Sequence, residues 1–97
     1  MAAILDTTPV TDEELLTQVK QLNRYGDNPE FDNTLRLLID DAKNFLRGAD
    51  VAEVLVNSKA AVGVIAYYVE DISRREGISE FVINRTTKLK MESYKYE

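Results

Sequence analysis

The 97-residue chain contains no cysteine and no histidine. Without cysteine there is no disulfide framework, and without either residue there is no imidazole base, thiolate nucleophile or ordinary structural zinc site. Carboxylates, lysines and tyrosines could still carry chemistry, but a domain of this size has little room for a deep pocket beside a core. We therefore expect a protein that is not an enzyme and that binds no cofactor and no metal.

Glycine-rich loops and long apolar runs are also missing from the sequence. The four glycines stand apart from one another, so a glycine-rich cradle for a nucleotide phosphate is unsupported. No apolar run approaches the ~20 residues that a membrane span needs. Residues 1–6 lack the basic and apolar regions of a signal peptide. We expect one domain with no membrane partner and no export.

Negative charge predominates, with 12 basic and 17 acidic residues and a net charge of −5. Its distribution is uneven. Residues 1–79 hold 8 basic and 14 acidic residues, a net of −6, whereas residues 80–97 hold 4 basic and 3 acidic residues, a net of +1. Because an acidic body repels phosphates, we expect no specific nucleic-acid binding.

Capping residues and apolar spacing predict helices up to Gly77. Thr11 and Glu14 match a capping box at the start of the first helix, for which Gly26 is the predicted end. Asn28 and Pro29 are typical of a second start. This helix, ended by glycine 48, carries an amphipathic stripe: Phe31, Leu35, Leu38, Ile39, Ala42, Phe45 and Leu46.

The segment from residue 51 to 75 is apolar on nearly all sides and predicts a buried helix. Asp50 and Glu53 indicate its start, and Asn57-Ser58 could divide it into a short helix and a long one. Gly63, in its middle, suggests a close approach between helices. We expect one core to contain the following residues: Leu38, Ile39, Ala42, Phe45, Tyr68 and Val69.

Residues 80–97 show apolar residues on alternate positions, which is typical of a strand. The sequence thus predicts a mainly α protein: a small bundle of three to four helices (residues 1–79) with a C-terminal strand-like arm or hairpin (residues 80–97). We expect the arm to pair with another chain, and its deletion to leave the body folded. The candidate interface residues are Tyr67, Phe81, Ile83, Leu89, Met91, Tyr94 and Tyr96.

Two segments carry a resemblance to a known family. One has the pattern Leu-x-x-Leu-Ile-x-x-Ala-x-x-Phe-Leu from Leu35 to Leu46, and the other is the apolar run from Val62 to Asp71. In their order along the chain they resemble the small head–tail connector, or adaptor, proteins of long-tailed bacteriophages. The likeness covers roughly residues 12–77 and rests on pattern rather than on a catalytic motif.

The resemblance implies an α-helical structural protein with no catalytic residues to carry over. It implies a homo-oligomeric ring beneath the capsid portal, with DNA passing through its centre. The implied partners are other copies of the chain, the portal protein, and a tail-side stopper or other tail components. The implied location is the head–tail junction of the virion, after synthesis in the bacterial cytoplasm.

Three other functions compete with the connector. One is a small helical protein-interaction or regulatory module. Another is a helix-turn-helix DNA binder, which ranks low because Arg36, Lys43 and Arg47 are diluted by acidic residues on the same helix. A carboxylate-based enzyme ranks lower still, since the aspartates at 32, 40 and 41 are more typical of a solvated helix face than of a metal site.

Overall fold

The computed structural model describes residues 5–24 and 28–96, which form helices and no strand. The expectation of a mainly α protein is confirmed. The predicted helix end at Gly26 lies outside the described residues. The α-helices are α1 (Asp12–Leu22), α2 (Asp32–Gly48), α3 (Glu53–Val56), α4 (Lys59–Ser73) and α5 (Glu80–Glu92), with 3₁₀ turns at Pro29–Phe31 and Ser93–Tyr96.

Two of the three predicted caps, Thr11 and Asn28, form as expected. The hydroxyl of Thr11 accepts a hydrogen bond from the backbone N–H of Glu14 at 3.1 Å and donates one to the Glu14 carboxylate at 3.1 Å. Asn28 caps the 3₁₀ turn that leads into α2, accepting from the N–H of Glu30 at 2.9 Å. Ser58 accepts from the N–H of Ala60, so the alternative with two helices after residue 50 is confirmed.

Asp50 does not cap α3, contrary to the prediction. Its backbone adopts a left-handed conformation with φ of 65°, which aspartate tolerates better than most residues. Ala52 is the N-cap residue instead, and its side chain makes no capping hydrogen bond.

The segment before α1 completes the start of α4. The carbonyls of Asp6 and Thr8 accept hydrogen bonds from the first backbone N–H groups of α4, those of Ala60 and Lys59, each at 2.9 Å. The first N–H groups of a helix have no acceptor within it, so the segment before α1 supplies carbonyl acceptors for these two. The carboxylate of Asp6 accepts from the hydroxyl and the N–H of Thr8, and these bonds lower the pKa of Asp6.

Helix α4 lies at the centre of the core and contacts each of the other α-helices. Ile39, Ala42 and Val69 are buried as predicted, while Leu38, Phe45 and Tyr68 are partly buried against the same core. The rings of Phe45 and Tyr68 lie 5.2 Å apart between centroids. Burial, with a smaller contribution from the Asp41 charge, raises the pKa of Tyr68. The expected core is therefore confirmed.

Two buried lysines join α1 to α2. The ammonium of Lys20 lies 2.7 Å from the Asp32 carboxylate, and that of Lys43 lies 3.2 Å from the Asp12 carboxylate. Lys20 and Lys43 are only 8% and 7% exposed, so their aliphatic stems cover apolar surface while the charged ends reach carboxylates.

The strand-like arm is the part of the prediction that is wrong, because residues 80–92 form a helix. Gly77 turns the chain with φ of 76°, and the hydroxyl of Ser79 accepts from the N–H of Val82 to start α5. One face of the helix and of the turn after it, spaced by four, three and four residues, is buried in the common core: Val82, Thr86, Leu89 and Ser93.

The hydroxyl of Ser93 ties the end of α5 to the body. It donates to the carbonyl of Leu89 at 2.7 Å and accepts from the N–H of Ala52, the N-cap of α3, at 2.9 Å. Ser93 is 1% exposed, and its bonds satisfy a backbone donor that Ala52 leaves at the start of α3. This packing argues against the expectation that the body would keep its stability without residues 80–97.

Leu89→Ala and Met91→Ala distinguish the helix from a strand. In a strand the two side chains would share one face, but in α5 Leu89 is 4% exposed and Met91 is 68% exposed. We expect Leu89→Ala to lower the free energy of unfolding by about 2–5 kcal/mol, and Met91→Ala to change it by no more than about 0.5 kcal/mol. Urea unfolding measures both, and equal losses would contradict the helix.

Candidate interaction surface

The predicted interface residues separate once the C-terminal segment is helical. Phe81 meets Tyr67 on the side of α5 that faces α4, while Ile83 lies beside α2 with Phe45 as a neighbour. Met91 and Tyr94 are exposed. Leu89 is buried in the core, and Tyr96 is partly buried against that core. The structure therefore brings together two of the seven residues as an exposed pair.

A groove of about 510 Å³ runs between α4 and α5 at this pair. Helix α4 supplies one wall and α5 the other, and the segment before α1 closes the groove through Leu5. The lining residues are Leu5, Ala60, Gly63, Val64, Tyr67, Phe81, Arg85, Lys88 and Leu89. The groove thus combines an apolar floor, two exposed aromatic rings and two basic side chains.

The aromatic rings and one guanidinium form a row along the groove. The centroids of Tyr67 and Phe81 lie 4.3 Å apart with the rings tilted by 43°. The Arg85 guanidinium carbon lies 5.1 Å from the centroid of Phe81. A cation at this distance from a ring is attracted by about 0.5–1 kcal/mol at an exposed site. Phe81 and Arg85 are one turn apart on α5, so the helix itself sets their spacing.

Gly63 forms an open part of the groove wall in the middle of α4. A Cβ atom placed on Gly63 would meet no atom of the described chain within 4 Å. No helix within the described chain therefore makes the expected close approach at Gly63. Glycine inside a helix costs about 0.5–1 kcal/mol relative to alanine, and nothing that packs on Gly63 within the described chain requires it.

Sequence reasoning missed Gly63, Arg85 and Lys88 as members of this surface. A helical interpretation of the C-terminal segment would have found the last two, because Phe81, Arg85 and Lys88 follow one another at spacings of four and three residues. The strand interpretation placed Phe81 and Arg85 on one face and Lys88 on the other.

A second cavity, of about 610 Å³, lies between α1 and α4. Its carboxylates already have partners within the chain. Glu13 pairs with Arg36 at 3.1 Å, and Glu14 accepts from the Thr11 hydroxyl. Lys59 is the basic residue of the lining. The carboxylates on this wall therefore contribute to the helix start and to the α1–α2 contact.

One further pair of titratable side chains lies at the end of α2. The Arg47 guanidinium donates to the Glu53 carboxylate at 2.5 Å and 3.3 Å. This hydrogen bonding lowers the pKa of Glu53 and raises that of Arg47. Both side chains are more than a third exposed, so the pair serves mainly to fix the loop between α2 and α3.

Within residues 5–24 and 28–96, no group of three or more acidic side chains could hold a metal ion. The helices in this part of the chain are all too short or too polar to cross a membrane.

Gly63→Ala is expected to stabilise the isolated domain. The new methyl group has free space and removes the conformational cost of glycine, so the free energy of unfolding should rise by about 0.5–1 kcal/mol. Gly77→Ala is the matched control, because its φ of 76° makes alanine strained there and should lower stability. Urea unfolding compares the two; a destabilised Gly63→Ala variant would mean that the site is not open.

No family model, curated protein or solved structure matches this chain.

Proposed function

We propose that this chain is a structural protein of a long-tailed bacteriophage that forms a ring between the capsid portal and the tail, with DNA passing through its centre. One observation carries the proposal. The two segments that resemble the connector family lie within α2 and α4, which pack against each other in the core. Ile65 and Tyr68 of α4 lie with Ala42 and Phe45 of α2 around one small cavity.

The exposed surface supports a role in assembly. Tyr67 and Phe81 are 45% and 39% exposed beside two basic side chains, so a partner that covered the rings would remove apolar surface from water. Aromatic residues and arginine are enriched where proteins bind one another. The groove therefore suits a protein partner.

The charge distribution favours a channel wall over a DNA-binding surface. The net charge of −5 keeps DNA from adhering to the protein. The basic residues of α2, which a helix-turn-helix protein would direct at DNA, are engaged within the chain. Arg36, Lys43 and Arg47 pair with Glu13, Asp12 and Glu53, respectively. This observation weighs against the DNA-binding alternative.

We expect no sequence-specific duplex binding at physiological salt, because a net negative protein releases few counterions on contact with DNA. Fluorescence anisotropy with labelled duplexes at low and physiological salt measures this. Tight, nanomolar and salt-sensitive binding by the isolated protein would contradict the channel role and favour a DNA binder.

The gene itself provides the functional test. The proposal requires that the gene lies beside portal and tail genes in a phage or prophage genome. Deletion of the gene should then leave DNA-filled heads and free tails that do not join, as counted by electron microscopy. The gene supplied on a plasmid should restore complete particles, and the same plasmid with a stop codon near the start of the gene is the control.

Normal numbers of infectious, tailed particles after deletion would contradict the proposal. Attached tails on heads without DNA would also contradict it, because the gene product would then act in packaging rather than in joining.

A further inference from the structure

The outer face of α2 carries a pattern that complements the groove. Leu37 is 68% exposed, and Asp40 and Asp41 follow it one turn later on the same exposed side. Neither aspartate forms an ion pair with any residue of the described chain. An exposed leucine with two unpaired carboxylates is therefore available for a contact.

The groove offers the opposite set of groups. Tyr67 and Phe81 present apolar rings, and Gly63 leaves room beside them. Arg85 contacts the Phe81 ring, but neither Arg85 nor Lys88 forms an ion pair within the parts of the chain that the structure describes. The groove thus supplies basic groups and aromatic rings, and the outer face of α2 supplies carboxylates and an exposed leucine side chain.

The two surfaces lie on opposite sides of the domain. With 3.6 residues per turn, two residues along a helix correspond to a rotation of about 200°. Leu37 lies two residues from both Leu35 and Ile39, which are buried, so it points away from the body. Gly63 lies two residues before Ile65, which faces α2, so the groove opens on the side of α4 away from α2.

We infer that the groove between α4 and α5 binds the outer face of α2 of a second copy of this chain. The Leu37 side chain would cover the rings of Tyr67 and Phe81, and the Asp41 carboxylate would pair with Arg85. This inference rests on the proposed function for the claim that the resulting assembly is a closed ring. The pairing of the two surfaces is argued from their residues alone.

The spacing along the two helices agrees with this contact. Leu37 and Asp41 are four residues apart on α2, as are Phe81 and Arg85 on α5. Residues four apart on a helix lie on the same face, about 6 Å from each other. When the two helices run in the same direction, the apolar and charged positions match in register.

A contact between two different surfaces of the same chain is heterologous. Such contacts close into rings when the rotation between neighbours permits and otherwise extend into filaments. In a two-fold dimer the two surfaces would either meet each other twice across one interface, which their positions on opposite sides of the domain prevent, or each would face its own copy. Two aspartates facing two aspartates would repel, so the charges favour the head-to-tail arrangement.

Charge reversal with rescue is the direct test. Sedimentation velocity of the purified wild-type protein, up to about 1 mM, should show self-association that weakens with added salt. Arg85→Glu alone and Asp41→Arg alone should each weaken association about tenfold or more, because like charges then meet. The double variant, with the two signs exchanged, should recover it.

Lys90→Glu is the matched control, since Lys90 lies on the other flank of α5 and is exposed. It should leave association unchanged. Gly63→Leu should block the groove sterically and reduce association without loss of helical circular dichroism.

The inference is overturned by a wild-type protein that stays monomeric, by an Arg85→Glu variant that assembles normally, or by a double variant without rescue. Each of these results leaves the gene-deletion test untouched, so a failed surface pairing and a failed connector role give different outcomes.

Discussion

The burial of α4 is the constraint on which the rest of the fold depends. This helix is apolar around most of its circumference, and a chain of 97 residues must cover it on several sides at once. Helices α1, α2, α3 and α5 each pack against it. The segment before α1 satisfies its first backbone donors through Asp6 and Thr8. Both ends of the described chain therefore contribute to one small core.

The packing of the other helices against α4 also determines which side chains remain exposed. Helix α5 turns Val82 and Leu89 inward, and Phe81 and Arg85 are then left on its flank beside Tyr67. The groove lies between α4 and α5 beside Gly63, which has no side chain to fill that space. Its aromatic and basic character suits a partner that brings apolar and acidic groups, which supports assembly as the role of this surface.

The fold could be predicted where a capping residue marks the start of a helix and where apolar residues follow the helical spacing. Thr11 and Asn28 cap the helix starts expected of them. The helix α5 escaped prediction because two of the four core positions in α5 and the turn after it, Thr86 and Ser93, are polar. The burial of Ser93 is accompanied by a hydrogen bond from the N–H of Ala52, a residue distant in sequence. The alternation that suggested a strand was coincidental, and the groove could not be predicted without that helix.

Native-state hydrogen exchange of the α5 amides tests most directly whether the C-terminal segment completes the core. If α4 needs α5 as a cover, the two helices open together. The amides of Thr86 and Leu89 should then exchange as slowly as those of Ile65 and Val69, with the free energy of global unfolding. Fast exchange in α5 while α4 stays protected would show a separate, loosely held segment and would contradict this account.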